Sequence, residues 1–149
     1  MSELSNLYHE LIIDHGRAPR NFGALPDAKH LEGFNPLCGD RLMLYLKTLD
    51  DKIVDVKFTG QGCAISMASA SLMTQALKGK TLAEAEQLFT AFHQMLIDNQ
   101  LDEPVLGKLA ILKGVAEYPS RIKCATLACH TLNALLQDQN KPVTTEEKK

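Results

Sequence analysis

The sequence predicts an α+β fold, a small three-stranded antiparallel sheet with helices packed on one of its faces. Three observations predict it. Arg41 to Thr48 alternates Leu42, Leu44 and Leu46 with Arg41, Met43, Tyr45 and Lys47, the period of a half-buried strand. The turn Leu49-Asp50-Asp51-Lys52 leads straight into Ile53, Val54, Val56 and Phe58, which reads as the partner strand of a hairpin. Everything after Cys63 carries helical rather than alternating periodicity, and strands followed by helices place those helices together beside the sheet.

Each element follows in turn. Leu4, Leu7, Leu11 and Ile12 recur at helical spacing over 4–15, and Gly16 stops the pattern. Arg17 to Pro26, with two prolines and Gly23, is an irregular connection. A short strand is expected over about 28–34, before the hairpin. Residues 64–78, rich in Ala, Ser, Met and Leu, form a helix ending at Gly79. Thr81 followed by Glu84 is a capping box that opens a helix to about Ile97. After a connection from Asp98 to Pro104, a shorter helix covers about 105–116, interrupted or ended at Gly114. Pro119-Ser120 opens the last helix, which reaches about Gln137. A single domain is expected over 1–138. The polar tail over 139–149, which contains Pro142, is expected to be disordered.

A chain of 149 residues is long enough to bury a sizeable core without staples. Its net charge of −2, with no long basic run, argues against a nucleic-acid footprint. An aromatic content of 5% argues against a single-strand stacking platform. The start, Met1-Ser2-Glu3-Leu4-Ser5, lacks a signal-peptide layout, and no apolar run approaches a membrane span. The expected location is therefore cytoplasmic, where thiols stay reduced. Four cysteines in that setting read as metal-binding or catalytic rather than as two disulfides.

Three of those cysteines sit at breaks between elements. Cys38 and Asp40 flank Gly39 in Asn35-Pro36-Leu37-Cys38-Gly39-Asp40. Cys63 follows Gly60-Gln61-Gly62 at a strand-to-helix junction, where a helix N-terminus favours thiolate. Cys124 lies in the first turns of the last helix beside Lys123 and near Arg121, cations expected to favour its thiolate. With Asp40 the three sulfurs make a candidate tetrahedral set. No CxxC pair exists, so a zinc ribbon is not expected. Thiolates with one carboxylate suit zinc or an iron–sulfur centre, not magnesium or calcium.

The remaining candidates read as ordinary side chains. At about 100° per residue, Cys129 lies about 140° around the helix from Cys124, and His130 about 120° the other way. Neither is expected to share its face. Cys129 reads as a small core residue and His130 as a partly exposed one. His9, His15, His30 and His93 have no partner at ligand spacing and read as surface or satisfied polar groups. Met67, Met73, Ala68, Ala70 and Ala76 read as helix core.

Asn35-Pro36-Leu37-Cys38-Gly39-Asp40, Gly60-Gln61-Gly62-Cys63-Ala64-Ile65-Ser66 and Arg121-Ile122-Lys123-Cys124-Ala125-Thr126-Leu127 resemble blocks of the U-type scaffold proteins of iron–sulfur cluster assembly. Asp14-His15 with Pro19-Arg20-Asn21-Phe22-Gly23 resembles the N-terminal segment of that family. The likeness runs from Leu4 to about Leu136 and implies the SufE/IscU-like fold. Cys63 and Cys124 are 61 positions apart (124 − 63), and this longer spacing resembles the SufU-type branch. Lys123 stands where the housekeeping branch has a metal-binding histidine, which leaves Asp40 as the fourth ligand. A departure is Cys129, where that branch is expected to carry a bulky aromatic residue.

The resemblance implies that Cys38, Asp40, Cys63 and Cys124 hold zinc, and that Cys38 accepts persulfide sulfur from a SufS-type cysteine desulfurase. Asp40 is implied in ligand release and proton handling. Sulfurtransferase activity is implied only together with the desulfurase. A second implied reading is a scaffold that builds an iron–sulfur cluster on Cys38, Cys63 and Cys124 and hands it to recipient apoproteins. A third is a zinc-stabilised interaction domain without a transfer role.

Overall fold

The leucines of the central strand set the architecture. In a computed structural model, which describes residues 3–36, 38–138 and 143–144 and side chains from residue 10 onward, β2 (Asp40–Leu49) buries Asp40, Leu42, Leu44 and Leu46 and leaves Arg41 and Lys47 exposed. It pairs antiparallel with β1 (Lys29–Asn35), setting Leu31 opposite Leu44 and Asn35 opposite Asp40. It also pairs antiparallel with β3 (Lys52–Gln61), which sets Phe58 opposite Leu44 and Val56 opposite Leu46. Asp50 and Asp51 both adopt positive φ, 53° and 62°, the geometry that matches a two-residue hairpin loop to strand twist. Val54 is exposed, and a register shift at Lys47/Thr48 lets both Ile53 and Val56 face inward.

The sheet differs from the expected three-stranded antiparallel one. It is mixed and four-stranded, in the order β3-β2-β1-β4, because β4 (Val143–Thr144) pairs parallel with Gly33 and Phe34 of β1. Two residues are too few to display a period, so the strand left no signal in the sequence. The other tail residues, 139–142 and 145–149, lie outside the described residues, as do Leu37 and the side chains of Leu4, Leu7 and His9.

Helix α1 (Glu3–Arg17) packs on α2 (Ala64–Leu77), and α2 and α5 (Pro119–Leu136) pack on the sheet. Gly33 lets α5 approach β1 closely, since a Cβ there would collide with Thr131. The Thr81–Glu84 capping box is present at the start of α3 (Leu82–Ile97), with Thr81 Oγ1 accepting from the Glu84 N–H at 3.1 Å. The expected helix over 105–116 takes another form. A short α4 (Glu103–Leu106) gives way at Gly107, whose φ is +55°, to a 3-10 segment over Gly107–Glu117 that runs through Gly114. The core between the layers holds Phe58, Phe92, Met73, Met95 and Leu132, all essentially inaccessible.

This topology brings the β1–β2 turn, the end of β3 and the first turns of α5 to one edge of the molecule. Among the described residues no helix is long and apolar enough to cross a membrane.

Candidate metal centre

Four local features aim the site. The β1–β2 turn is tied by the Cys38 and Gly39 N–H groups, which donate to the Asn35 carbonyl at 3.2 and 2.9 Å. Gly39 sits at φ +74° with open space where a Cβ would be, so the turn needs glycine for its backbone and not for clearance. Asp40, the first residue of β2, falls on the inward face and is 1% exposed. Its carboxylate accepts from the Cys63 N–H at 2.8 Å (Oδ1) and from Asn35 Nδ2 at 3.3 Å (Oδ2). Gly62 makes room for it, since a Cβ there would lie 2.6 Å from Asp40 Oδ1. Pro119 in the first turn of α5 sets the helix start, and Cys124 then points inward, fully buried.

Cys38 Sγ and Cys124 Sγ lie 3.2 Å apart. The donor atoms of Cys38, Asp40 and Cys124 all fall within 4.8 Å of one another. Cys63 stands beside this group and not within it. Its thiol caps α2, accepting from the Ser66 N–H at 3.4 Å, while its backbone holds Asp40. The structure thus gathers three of the four expected ligands tightly and places the fourth at their edge.

The two central thiols have different surroundings. Cys38 is half-buried, whereas Cys124 is sealed. Burial first, then hydrogen bonding with Cys38 and Cys63, pushes the Cys124 thiol well above the usual range. This overturns the expectation that Lys123 and Arg121 favour thiolate at Cys124, because desolvation of the charged form outweighs nearby surface cations. Arg121 does reach the pair, interacting first with Cys124 and also with the outer thiol, where Nη1 lies 3.9 Å from Cys38 Sγ. Binding a metal at Cys124 therefore releases a proton from a thiol that otherwise keeps it.

Cys129 and His130 lie away from this centre, as the helix-face reading expects. Cys129 is buried against α3, and burial pushes its thiol up to about 12. His130 is exposed but stands close to His93, a pairing invisible in the sequence because the two lie on different helices. His15 is buried and satisfied, its Nδ1 lying 2.7 Å from Ser71 Oγ. Asn35 was not anticipated as a site residue. Its side chain donates to both Asp40 and Cys124 Sγ, the latter at 3.5 Å. The available signal was a polar residue at an inward position of β1, in register with Leu31 and Gly33.

A sheet with helices packed on it and a Cys/Asp cluster at its edge agree with what comparison of the sequence shows. Residues 7–125 match the NifU-like N-terminal domain, and the chain belongs to that family. It is 45% identical over 132 residues to the zinc-dependent sulfurtransferase SufU of Bacillus subtilis (strain 168), covering 88% of this chain and 90% of the relative. It is 39% identical over 138 residues to the iron–sulfur cluster assembly scaffold protein IscU of Streptococcus pyogenes serotype M1, covering 92% and 87%. A crystal structure of a candidate iron–sulfur cluster assembly scaffold protein for the SUF system, from Fervidobacterium islandicum AW-1, superimposes with a TM-score of 0.82. That protein is 41% identical, with 85% of this chain and 94% of that chain covered.

Proposed function

We propose that this protein is a zinc-dependent sulfur acceptor for a cysteine desulfurase of the SufS type, with Cys38 as the acceptor and Cys38, Asp40, Cys63 and Cys124 as zinc ligands. One observation carries the reading. Within a pair of sulfurs 3.2 Å apart, one is sealed in the core and the other sits half-exposed on a glycine turn. A purely structural zinc site has no need of an accessible ligand on a turn. The identity to a relative named as a zinc-dependent sulfurtransferase supports the same reading.

The donor set fits zinc. Two thiolates on one tetrahedral zinc, each about 2.3 Å from it, lie about 3.8 Å apart, so the two sulfurs need to open by only about 0.6 Å. Asp40 supplies a hard oxygen already oriented by hydrogen bonds from the Cys63 N–H and the Asn35 amide, which fix a metal ligand's direction. Bound zinc would hold the thiols deprotonated near neutral pH and keep them from reacting prematurely.

The transfer step belongs to Cys38. Its thiolate attacks the outer sulfur of the partner's cysteine persulfide. A new S–S bond forms at Cys38, the partner's S–S bond breaks, and the partner's cysteine leaves as thiolate. Gly39 leaves the turn free to swing the sulfur outward, and the Arg121 guanidinium stabilises negative charge there. Asp40, held by the Cys63 N–H and the Asn35 amide, would remain a ligand with Cys63 and Cys124 while Cys38 swings out. Such chemistry suits the cytoplasm, where the four free thiols stay reduced.

The scaffold reading uses the same donors with iron and sulfide as cargo, and the name of the Streptococcus pyogenes relative favours it. Anaerobic purification separates the two. About one zinc per chain without colour supports sulfur acceptance; stable iron and sulfide in equal amounts supports the scaffold. For the role of Cys38, Cys38→Ala is expected to abolish stimulation of a cysteine desulfurase and to carry no persulfide by mass spectrometry, with its circular dichroism unchanged. Stimulation at the wild-type level would overturn the acceptor assignment.

A further inference from the structure

We propose that His93 and His130 form a second, exchangeable site for a divalent transition-metal ion, in a cleft between α3 and α5 separate from the thiol centre. The two residues sit on neighbouring helices, and their ring centres lie 6.3 Å apart. They line one cavity of about 320 Å³, together with Asp98, Gln94 and Asn133, and Cys129 is at its wall. Nothing in the sulfur-transfer chemistry uses this cleft.

The spacing suits two imidazoles on one ion. With metal–nitrogen bonds of about 2.0–2.1 Å and ring nitrogens about 1.2 Å from the ring centre, centres sit about 5.3 Å apart at a tetrahedral angle and at most about 6.5 Å apart. The observed separation lies inside that limit, and a side-chain adjustment of about 1 Å reaches the tetrahedral value. Among the described residues neither ring makes a hydrogen bond, so such a rotation breaks none. The rings are inclined by 63° and both are exposed, which leaves the remaining coordination positions to water.

The chemistry of the cleft agrees. Neutral imidazole is the commonest metal donor in proteins, and two rings here face one cleft. Asp98, at the C-terminal cap of α3, adds a carboxylate at the cavity wall. Cys129 contributes no donor here, because its thiol is buried and its proton is held tightly. Imidazole with water selects borderline ions such as zinc, nickel or copper(II) over magnesium and calcium. Two ligands bind more weakly than four, so the ion exchanges freely.

The test uses the full chain preloaded with one equivalent of zinc, titrated with further zinc alone. Calorimetry should show a second saturable event, and the ring signals of His93 and His130 should shift together in NMR spectra. His93→Gln and His130→Gln, both surface changes, should each weaken that event at least tenfold while retaining the first equivalent of zinc. His30→Gln, on β1, should leave it within twofold. Absence of a second event, its survival in the double His93→Gln/His130→Gln variant, or its loss in His30→Gln would overturn the proposal.

Discussion

Adding one methyl group at Gly62 tests whether Asp40 is held in place for metal binding. Its backbone φ is not in the left-handed region, so alanine fits the main chain. The new Cβ would lie 2.6 Å from Asp40 Oδ1 and 3.2 Å from Asp40 Cβ, whereas ordinary contact begins at 3.4 Å. The carboxylate must therefore retreat by about 0.8 Å, which stretches its 2.8 Å bond from the Cys63 N–H to about 3.6 Å, beyond hydrogen-bonding range. A hydrogen bond to a charged group is worth about 1.5–3 kcal/mol, and losing an outer-shell partner typically weakens a metal site about 10–100-fold. Gly62→Ala should accordingly lower zinc affinity by that factor in a chelator competition assay. Gly114→Ala is the control, because open space surrounds it; its zinc affinity should stay within about twofold of wild type. Wild-type zinc affinity in Gly62→Ala would refute the view that Asp40 is a positioned ligand.

Other outcomes follow from the same coordinates. Cys129→Ser should retain its zinc, because Cys129 lies at the α3 interface, yet lose stability by about 1–3 kcal/mol from burying a hydroxyl; metal loss measured by elemental analysis would contradict the helix-face assignment. Burial, then the Arg20 charge, holds His15 below its ordinary pKa of 6.5. Between that lowered value and 6.5 the unfolded chain binds more protons than the folded one, so stability falls as pH drops through this window. His15→Gln should flatten that dependence in thermal melts at about pH 7.5 and about pH 5.5, whereas an unchanged slope would assign it to other groups. Thr81→Ala removes the cap of α3 and should cost about 1 kcal/mol in denaturant unfolding.

The residues whose signal is local were readable in sequence, and those whose position depends on distant packing were not. Leu42, Leu44 and Leu46 declare their strand by alternation, Thr81 and Glu84 declare a helix start, and Asp50-Asp51 accepts the positive φ a tight hairpin demands. Cys38, Asp40 and Cys124 stood out because each lies next to a break, and the fold brings them together. The parallel pairing of Val143–Thr144 had no such signature, since register with β1 is decided by tertiary contact. The 3-10 form of Gly107–Glu117 was equally hidden, because its apolar spacing resembles that of an α-helix and only Gly107 marks the change. Burial corrected the chemistry of Cys124. Sequence neighbours suggested a stabilised thiolate, and the desolvated interior reverses the sign.

X-ray absorption on the anaerobically prepared, zinc-loaded protein reads the ligand shell without reference to any partner. The expected spectrum fits three sulfur scatterers at about 2.3 Å and one oxygen at about 2.0 Å, falling to two sulfurs in Cys63→Ser. Wild-type protein with two sulfurs or fewer, or a shell unchanged by removing Cys63, would contradict a centre built by Cys38, Asp40, Cys63 and Cys124.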